Sequence, residues 1–232
     1  MIILLKRKHL KFIAIILLLC SLAIAGTHSY IKGVATPAKT HIVLDAGHGG
    51  VDLGVIGKDS RTPEAEINLA IVKSLEKKLA EHNFAVTLTR KDEQGLYDSK
   101  VPGFKLRDMK ERKRIIEQAQ PDLVVSIHCN KFPRSDVRGA QVFYEPTSGK
   151  SVNLAKSIQN NFNILNREYV GRSYECHAGD YYILKCSPYP SVIVECGFLS
   201  NPEDDALLNS KIYQDKITYA IFSGIVGYLA QS

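Results

Sequence analysis

Ile42-Val43-Leu44 runs without a break into Asp45-Ala46-Gly47-His48-Gly49-Gly50, and this junction constrains the fold more than any other stretch. Three consecutive branched apolar side chains suit a strand covered on both faces, the usual situation in a parallel sheet. Gly47, Gly49 and Gly50 then let the backbone turn sharply and approach closely around His48. A strand ending in such a loop presents its histidine at a sheet edge, where a metal or substrate can be met. Taken alone, a histidine among glycines is more often an ordinary loop residue than a ligand.

The rest of the chain repeats the strand theme in alternation with helices. Phe84 to Thr89, Asp122 to His128 and Ser191 to Glu195 are strand-like, with weaker strand candidates at Gly139 to Tyr144 and Tyr181 to Leu184. Helical spacing is found over Glu64 to Glu81, Phe104 to Gln118, Val152 to Leu165 and Lys211 to Leu229. Strands alternating with helices predict an α/β fold: a single domain with a mostly parallel twisted sheet and helices on both faces. The run Lys105 to Arg114 carries six basic residues and reads as the solvated face of its helix.

The formal charge of +6 resides in the leader. Residues 1–40 hold Lys6, Arg7, Lys8, Lys11, Lys32 and Lys39 and no acidic residue, which leaves the remainder formally neutral. No net field draws the folded domain to a polyanion, so nucleic acid is not an expected partner. The basic start, the apolar run Phe12 to Gly26 and the small-x-small site Ala23-Ile24-Ala25 predict a signal peptide or membrane anchor over residues 1–32. Residues 33–40 read as a linker and 41–232 as the folded domain. In either case the positive flank stays in the cytoplasm and the domain is exported, with a membrane tie through the N-terminal segment if it is not cleaved. Bulky leucines before Cys20 argue against a lipid-modified cysteine. Of the later cysteines, Cys129 and Cys196 read as small buried residues, and a Cys176–Cys186 bridge is left open.

Ligands of an open α/β sheet gather beyond the carboxyl ends of its strands. Three ionisable residues are expected there: His48 after the first strand, His128 ending Leu123 to Ile127, and Glu195 ending Val192 to Val194. A fourth comes from the helix that opens at Glu64, for which Thr62 is the expected N-cap and Pro63 the first position. At about 100° per residue, Glu64 falls at the centre of the stripe formed by Ile67, Ile71, Leu75 and Leu79, whereas Glu66 points away. A carboxylate in a core-facing stripe requires a partner or a metal. Two histidines and a glutamate are a standard ligand set for catalytic zinc, with the fourth position left to water. Hydrolysis at such a centre also needs a base, and Glu195 is the one unassigned acid predicted at a strand end. The plainer reading makes Glu195 a buried structural acid and Glu64 a helix-dipole partner; convergence of all four on one sheet edge favours the zinc centre.

These blocks resemble the zinc-dependent N-acetylmuramoyl-L-alanine amidases, which cut between muramic acid and the stem peptide of peptidoglycan. Ile42 to Gly50 resembles the family's strand followed by Asp-Pro-Gly-His-Gly-Gly, with Ala46 in place of proline. Glu64 to Leu69 resembles its ligand-bearing helix start, Thr87 to Arg90 its strand-ending threonine-arginine, and Arg112 its helix arginine. Ser126-Ile127-His128-Cys129-Asn130 is similar to Ser-Ile-His-Ala-Asn, and Pro190 to Asn201 to the block carrying the catalytic glutamate. The resemblance implies one Zn2+ held by His48, Glu64 and His128, with Glu195 as catalytic residue, peptidoglycan as substrate and Asn130 as a substrate contact. No insertion between His128 and Glu195 is long enough for the inhibitory helix of some division amidases, and no wall-binding repeats follow. The short exported domain is similar to spore-cortex amidases, with action at the outer face of the membrane, the cell wall or the cortex, and an activator protein as a candidate partner. His177 reads as a loop histidine. Two alternatives stand beside this one. A zinc peptidase of another α/β family would need acidic ligands for a second metal, for which Asp45 is the only nearby candidate. A catalytically silent peptidoglycan-binding module would retain the fold without turnover.

Overall fold

The computed structural model describes residues 15–21, 39–97 and 102–231. The chain forms two compact units, Met1–Ala38 and Lys39–Ser232. In the first, residues 15–21 are helical, and the expected cleavage site at Ala23 to Ala25 lies outside the described residues, as does most of the expected linker. Among the described residues, no helix is long and apolar enough to cross a membrane.

The second unit is built on six strands: β1 (His41–Ala46), β2 (Ala85–Leu88), β3 (Leu123–Asn130), β4 (Gln141–Tyr144), β5 (His177–Ala178) and β6 (Ser191–Phe198). They lie in the order β2-β1-β3-β6-β4-β5. All neighbours are parallel except β4 and β6. Six helices accompany them: α1 (Glu64–Glu81), α2 (Phe104–Ala119), α3 (Gly149–Tyr169), α4 (Tyr182–Lys185), α5 (Pro202–Leu208) and α6 (Lys211–Leu229). The α/β sheet with helices on both faces is therefore the architecture that the alternation predicts.

Alternation along each strand sorts its side chains between two unequal layers. Ile42, Leu44, Leu123, Val125, Ile127, Val192 and Val194 join the large core with α1, α3 and α6. Val43, Val124 and Ile193 face the other way and meet Ile116 of α2 and Ile183 and Leu184 of α4. This second layer is thin, and it is the face that carries the chemistry.

Four local expectations are corrected. Tyr181 to Leu184 is no strand, because Ile183 and Leu184 are both buried against one sheet face, and adjacent strand residues would point to opposite faces. Thr62 does not cap α1: Pro63 occupies the N-cap position, and the Thr62 hydroxyl donates to Asn209 Oδ1 instead. Arg112 leaves the solvated face of α2, since it follows Asp108 and precedes Ile116 on the buried stripe of that helix. The helix expected over Val152 to Leu165 is longer, opened by Ser148, whose hydroxyl accepts from Ser151 N. The described cysteines are all free, including Cys176 and Cys186.

Candidate active site

The loop after β1 is held from behind by two arginines. Arg90, just past β2, donates to the carbonyls of Ala46 (2.9 Å), Gly47 (3.0 Å) and Ala65 (2.7 Å). Arg112 donates to the carbonyls of Ala46 (2.8 Å) and His48 (2.7 Å) and pairs with Asp45 and Asp108. Carbonyls that a tight loop would leave buried and unpaired are thereby satisfied. The clamp also holds His48 in the left-handed region at φ 62°, a conformation that non-glycine residues rarely keep without such support.

Asp45 is the anchor of this arrangement. Its carboxylate accepts from Thr89 Oγ1 at 2.6 Å, from Ser126 Oγ and from Arg112 Nη1. Burial alone would raise its pKa, but Arg112 and the two hydroxyls outweigh that and hold it at about 2. With Thr89, Ser126 and Arg112 all donating to it, the Asp45 carboxylate is committed to holding the loop.

His48, Glu64 and His128 converge in front of the clamp, one ligand atom from each lying within 4.8 Å of the others. Glu64 Oε1 lies 3.2 Å from His48 Nε2 and 3.0 Å from His128 Nδ1. Oε1 also accepts from Asn68 Nδ2 and the Cys129 amide, while Oε2 accepts from the Val55 amide at 2.9 Å. Glu64 is 2 % exposed, as its place on the apolar stripe predicts, and Glu66 is exposed. Burial would raise the Glu64 carboxyl, yet the two imidazoles hold it far below the usual range; the same carboxylate and that of Asp52 raise His48 against its own burial. The set fits zinc. Neighbouring ligand atoms of a tetrahedral zinc centre lie about 3.3 Å apart when the bonds are about 2.0–2.1 Å, close to the 3.2 and 3.0 Å that separate Glu64 Oε1 from the two imidazoles, and the N, O, N donors are the type zinc takes.

Two features aim the imidazoles. Asp52 Oδ2 lies 3.0 Å from His48 Nδ1, and Lys105 Nζ lies 3.1 Å from Asp52 Oδ1. On the other side, the His128 ring lies directly over Gly47, in the space a Cβ would take. A Cβ on Gly54 would likewise run into Glu64 and His48.

Glu195 is the register partner of His128 across β3 and β6, so both side chains stand on the same sheet face. Its Oε2 is buried and has no hydrogen-bond partner among the described residues. Burial, reinforced by the Glu64 carboxylate, pushes its pKa up to about 7 against the pull of His128 and His48. A carboxyl with a free, poised oxygen beside three metal-type ligands is what a proton-transferring group requires. Asn130 sits two residues past His128 with its Oδ1 accepting from the Lys131 amide, and His177 lies on the exposed edge strand β5. Asp52 and Arg90 have roles that the sequence reading did not assign. Asp52 lies four residues after His48 in an irregular glycine loop, where spacing carries no structural meaning.

Comparison with known proteins points the same way. The sequence pattern of a family described as N-acetylmuramoyl-L-alanine amidase matches residues 42–226. The chain is 30% identical over 193 residues to a germination-specific N-acetylmuramoyl-L-alanine amidase of Bacillus subtilis, covering 82% of this chain and 80% of that one. Among solved structures it is similar to the CwlD amidase of Clostridioides difficile in complex with the GerS lipoprotein, with a TM-score of 0.78 and 38% identity over 84% of this chain and 100% of that one. It also resembles the catalytic domain of the amidase CwlV from Bacillus (Paenibacillus) polymyxa, at TM-score 0.71 and 27% identity, over 83% and 99% of the two chains.

Proposed function

Since the chain belongs to the N-acetylmuramoyl-L-alanine amidase family and is an amidohydrolase of that kind, we propose that His48, Glu64 and His128 hold one zinc ion and that Glu195 is the catalytic proton carrier. The observation that carries this reading is the convergence of the three ligands beside the unpartnered oxygen of Glu195. A zinc ion held there supplies Lewis-acid polarisation of the scissile carbonyl and a more acidic water. Glu195 Oε2 takes a proton from the attacking water and returns it to the nitrogen of the leaving stem peptide. Asp52 fixes the His48 tautomer with Nε2 unprotonated and facing the ligand cluster. Asn130, one strand repeat beyond His128, contacts substrate.

The spore cortex is the favoured site of action, on the strength of the germination-specific relative and the cortex-type domain. Export through residues 1–32 accords with that site, and a protein activator is expected by analogy with the relative solved with a lipoprotein. Mass spectrometry of purified peptidoglycan digested by residues 33–232, with zinc and with a chelator, tests the reading. Intact stem peptides with free N-terminal alanine, released only with zinc, are the expected products; peptide fragments instead would indicate a peptidase, and binding without release a silent module.

A further inference from the structure

The face that carries His128 and Glu195 is only partly roofed. α2 packs on β1 and the short α4 packs on β6, both against the small apolar layer. Toward β4 and β5 the rim of that layer becomes aromatic, beginning with Phe143, which packs against it half-buried. Register pairs Glu195 with Gln141, Ile193 with Phe143, and Phe143 with His177, which places all five on one side of the sheet.

Phe143 is the centre of this cluster. His177 lies against it at 5.5 Å between ring centroids, and Tyr181 meets it edge-on at 5.7 Å. Tyr181 is 44 % exposed and its neighbour Tyr182 45 % exposed. The Tyr181 ring is also lodged over Gly179, in the space a Cβ would take, so its position is fixed from two sides. Burial and the charge of Glu195 raise its pKa. From Gln141, which faces Glu195, to Phe143 is one strand repeat of roughly 7 Å, about the width of a sugar ring.

Resting on the amidase reading above, we propose that Phe143, His177 and Tyr181 form a stacking shelf for a pyranose ring of the glycan strand, so that the glycan lies on the β4–β5 side of Glu195. The C–H faces of pyranose rings pack on aromatic rings, and rigid amphipathic tyrosines bind at low entropic cost. The opposite side of the centre differs in character. There the cleft beside His48 and His128 sets Asp52, Lys105 and Asp108 among the apolar side chains of Tyr97, Phe104, Met109 and Ile183, so that charged groups able to pair with the ionised stem peptide stand on this side. A scissile amide at the centre thus has its neutral arm toward the aromatic shelf and its charged arm toward α2.

The test compares wild type, Tyr181→Ala and Tyr181→Phe, each zinc-loaded, on stem-peptide-bearing glycan chains and on D-lactoyl stem peptide, which keeps the scissile amide and lacks the sugar. Tyr181→Ala is expected to lower the preference for the glycan substrate about tenfold, through KM, as the loss of one aromatic contact of about 1.4 kcal/mol implies. Tyr181→Phe, which keeps the ring, should retain most of that preference. An unchanged preference in Tyr181→Ala, or equal losses in both variants, would overturn the shelf. Binding of peptide-free glycan chains to Glu195→Gln protein reads the shelf without turnover, and adding Tyr181→Ala should weaken it about tenfold. Unaltered binding there overturns the shelf alone, whereas wild type that binds glycan and cuts neither substrate overturns the amidase reading alone.

Discussion

Asp52 meets His48 through Nδ1 at 3.0 Å, and that contact turns Nε2 of the same ring toward Glu64. The relation divides labour between the two nitrogens: one is held by the protein and the other is left as a donor. Among the described residues, His128 has no comparable carboxylate behind it. Its Nδ1 faces Glu64, and its ring is located by packing on Gly47.

Removing the carboxylate should therefore loosen the metal before it disturbs the fold. Asp52→Ala is expected to weaken zinc affinity about 10–100-fold, the usual effect of losing a group that orients a ligating histidine. Asp52→Asn should lie between, because its amide oxygen can still accept from Nδ1–H without the charge. Competition against a chromophoric chelator measures this directly, and affinities equal to wild type would show that the Asp52 contact does not orient the ligand. Lys105 is mostly exposed, so Lys105→Ala should change affinity little.

Glu195 sets the acid side of the pH profile. Its folded pKa is raised to about 7 by burial, and a bound cation would draw it down from there. Only the ionised form accepts a proton, so kcat/KM of the zinc-loaded enzyme should climb with pH at values below that one and level off above it. Glu195→Gln should cost at least 10²–10⁴-fold in kcat while leaving zinc content at one per chain. For the metal-free protein the stability consequence has the opposite sense. Between 4.5 and about 7 the folded state holds a proton that the unfolded chain has released, so stability falls as pH rises, and Glu195→Gln should flatten that slope. A sloping profile that persists in the variant would assign it to another group.

Much of this site was legible before any coordinates. Glu64 announces itself through helical phase, because an acid centred on Ile67, Ile71, Leu75 and Leu79 must be buried and engaged. His128 and Glu195 are expected to end their strands; β3 and β6 instead run on to Asn130 and Phe198, and the two residues prove to be register partners. Arg112 was hidden by its neighbours: a run of six basic residues reads as a wet helix face. Phase does separate it, since Asp108, Arg112 and Ile116 recur every fourth residue on the buried stripe. β5 spans only two residues, too few for any period to register, so the aromatic shelf that it helps to build depended on tertiary pairing. The partner of His48 depended on the turn of a glycine loop, for which no periodic signal exists.

Arg112 and Asp45 form a buried ion pair whose worth lies in what happens when one member is removed. Arg112→Leu leaves Asp45 without its cation and frees the carbonyls of Ala46 and His48. A loss of about 3–5 kcal/mol is expected, read as a lower urea midpoint. The pH dependence has a definite sign. Asp45 is depressed from 3.8 to about 2 in the fold, so its stabilisation is complete above 3.8 and is lost as pH falls through that window. The stability gap between wild type and Arg112→Leu should accordingly be widest above 3.8 and narrow as pH falls towards 2, and a gap that does not change with pH would remove Asp45 from the account.

Gly47→Ala separates the metal site from the fold most cleanly. The three atoms nearest a Cβ at this position all belong to the His128 imidazole. The backbone cannot retreat to make room, because the Gly47 amide donates to the Ile127 carbonyl at 3.0 Å and the Gly47 carbonyl accepts from Arg90 and Asn68. Its φ lies outside the left-handed region, unlike that of Gly49 at 132°, so alanine brings no backbone strain of its own. The ring must therefore move, and with it one of three metal donors. Thermal unfolding of the metal-free protein should shift by no more than a few degrees, while zinc affinity falls by more than in Asp52→Ala, since a donor is displaced where Asp52→Ala only loosens one. Retention of stoichiometric zinc at wild-type affinity would mean that His128 does not bind from the position seen here.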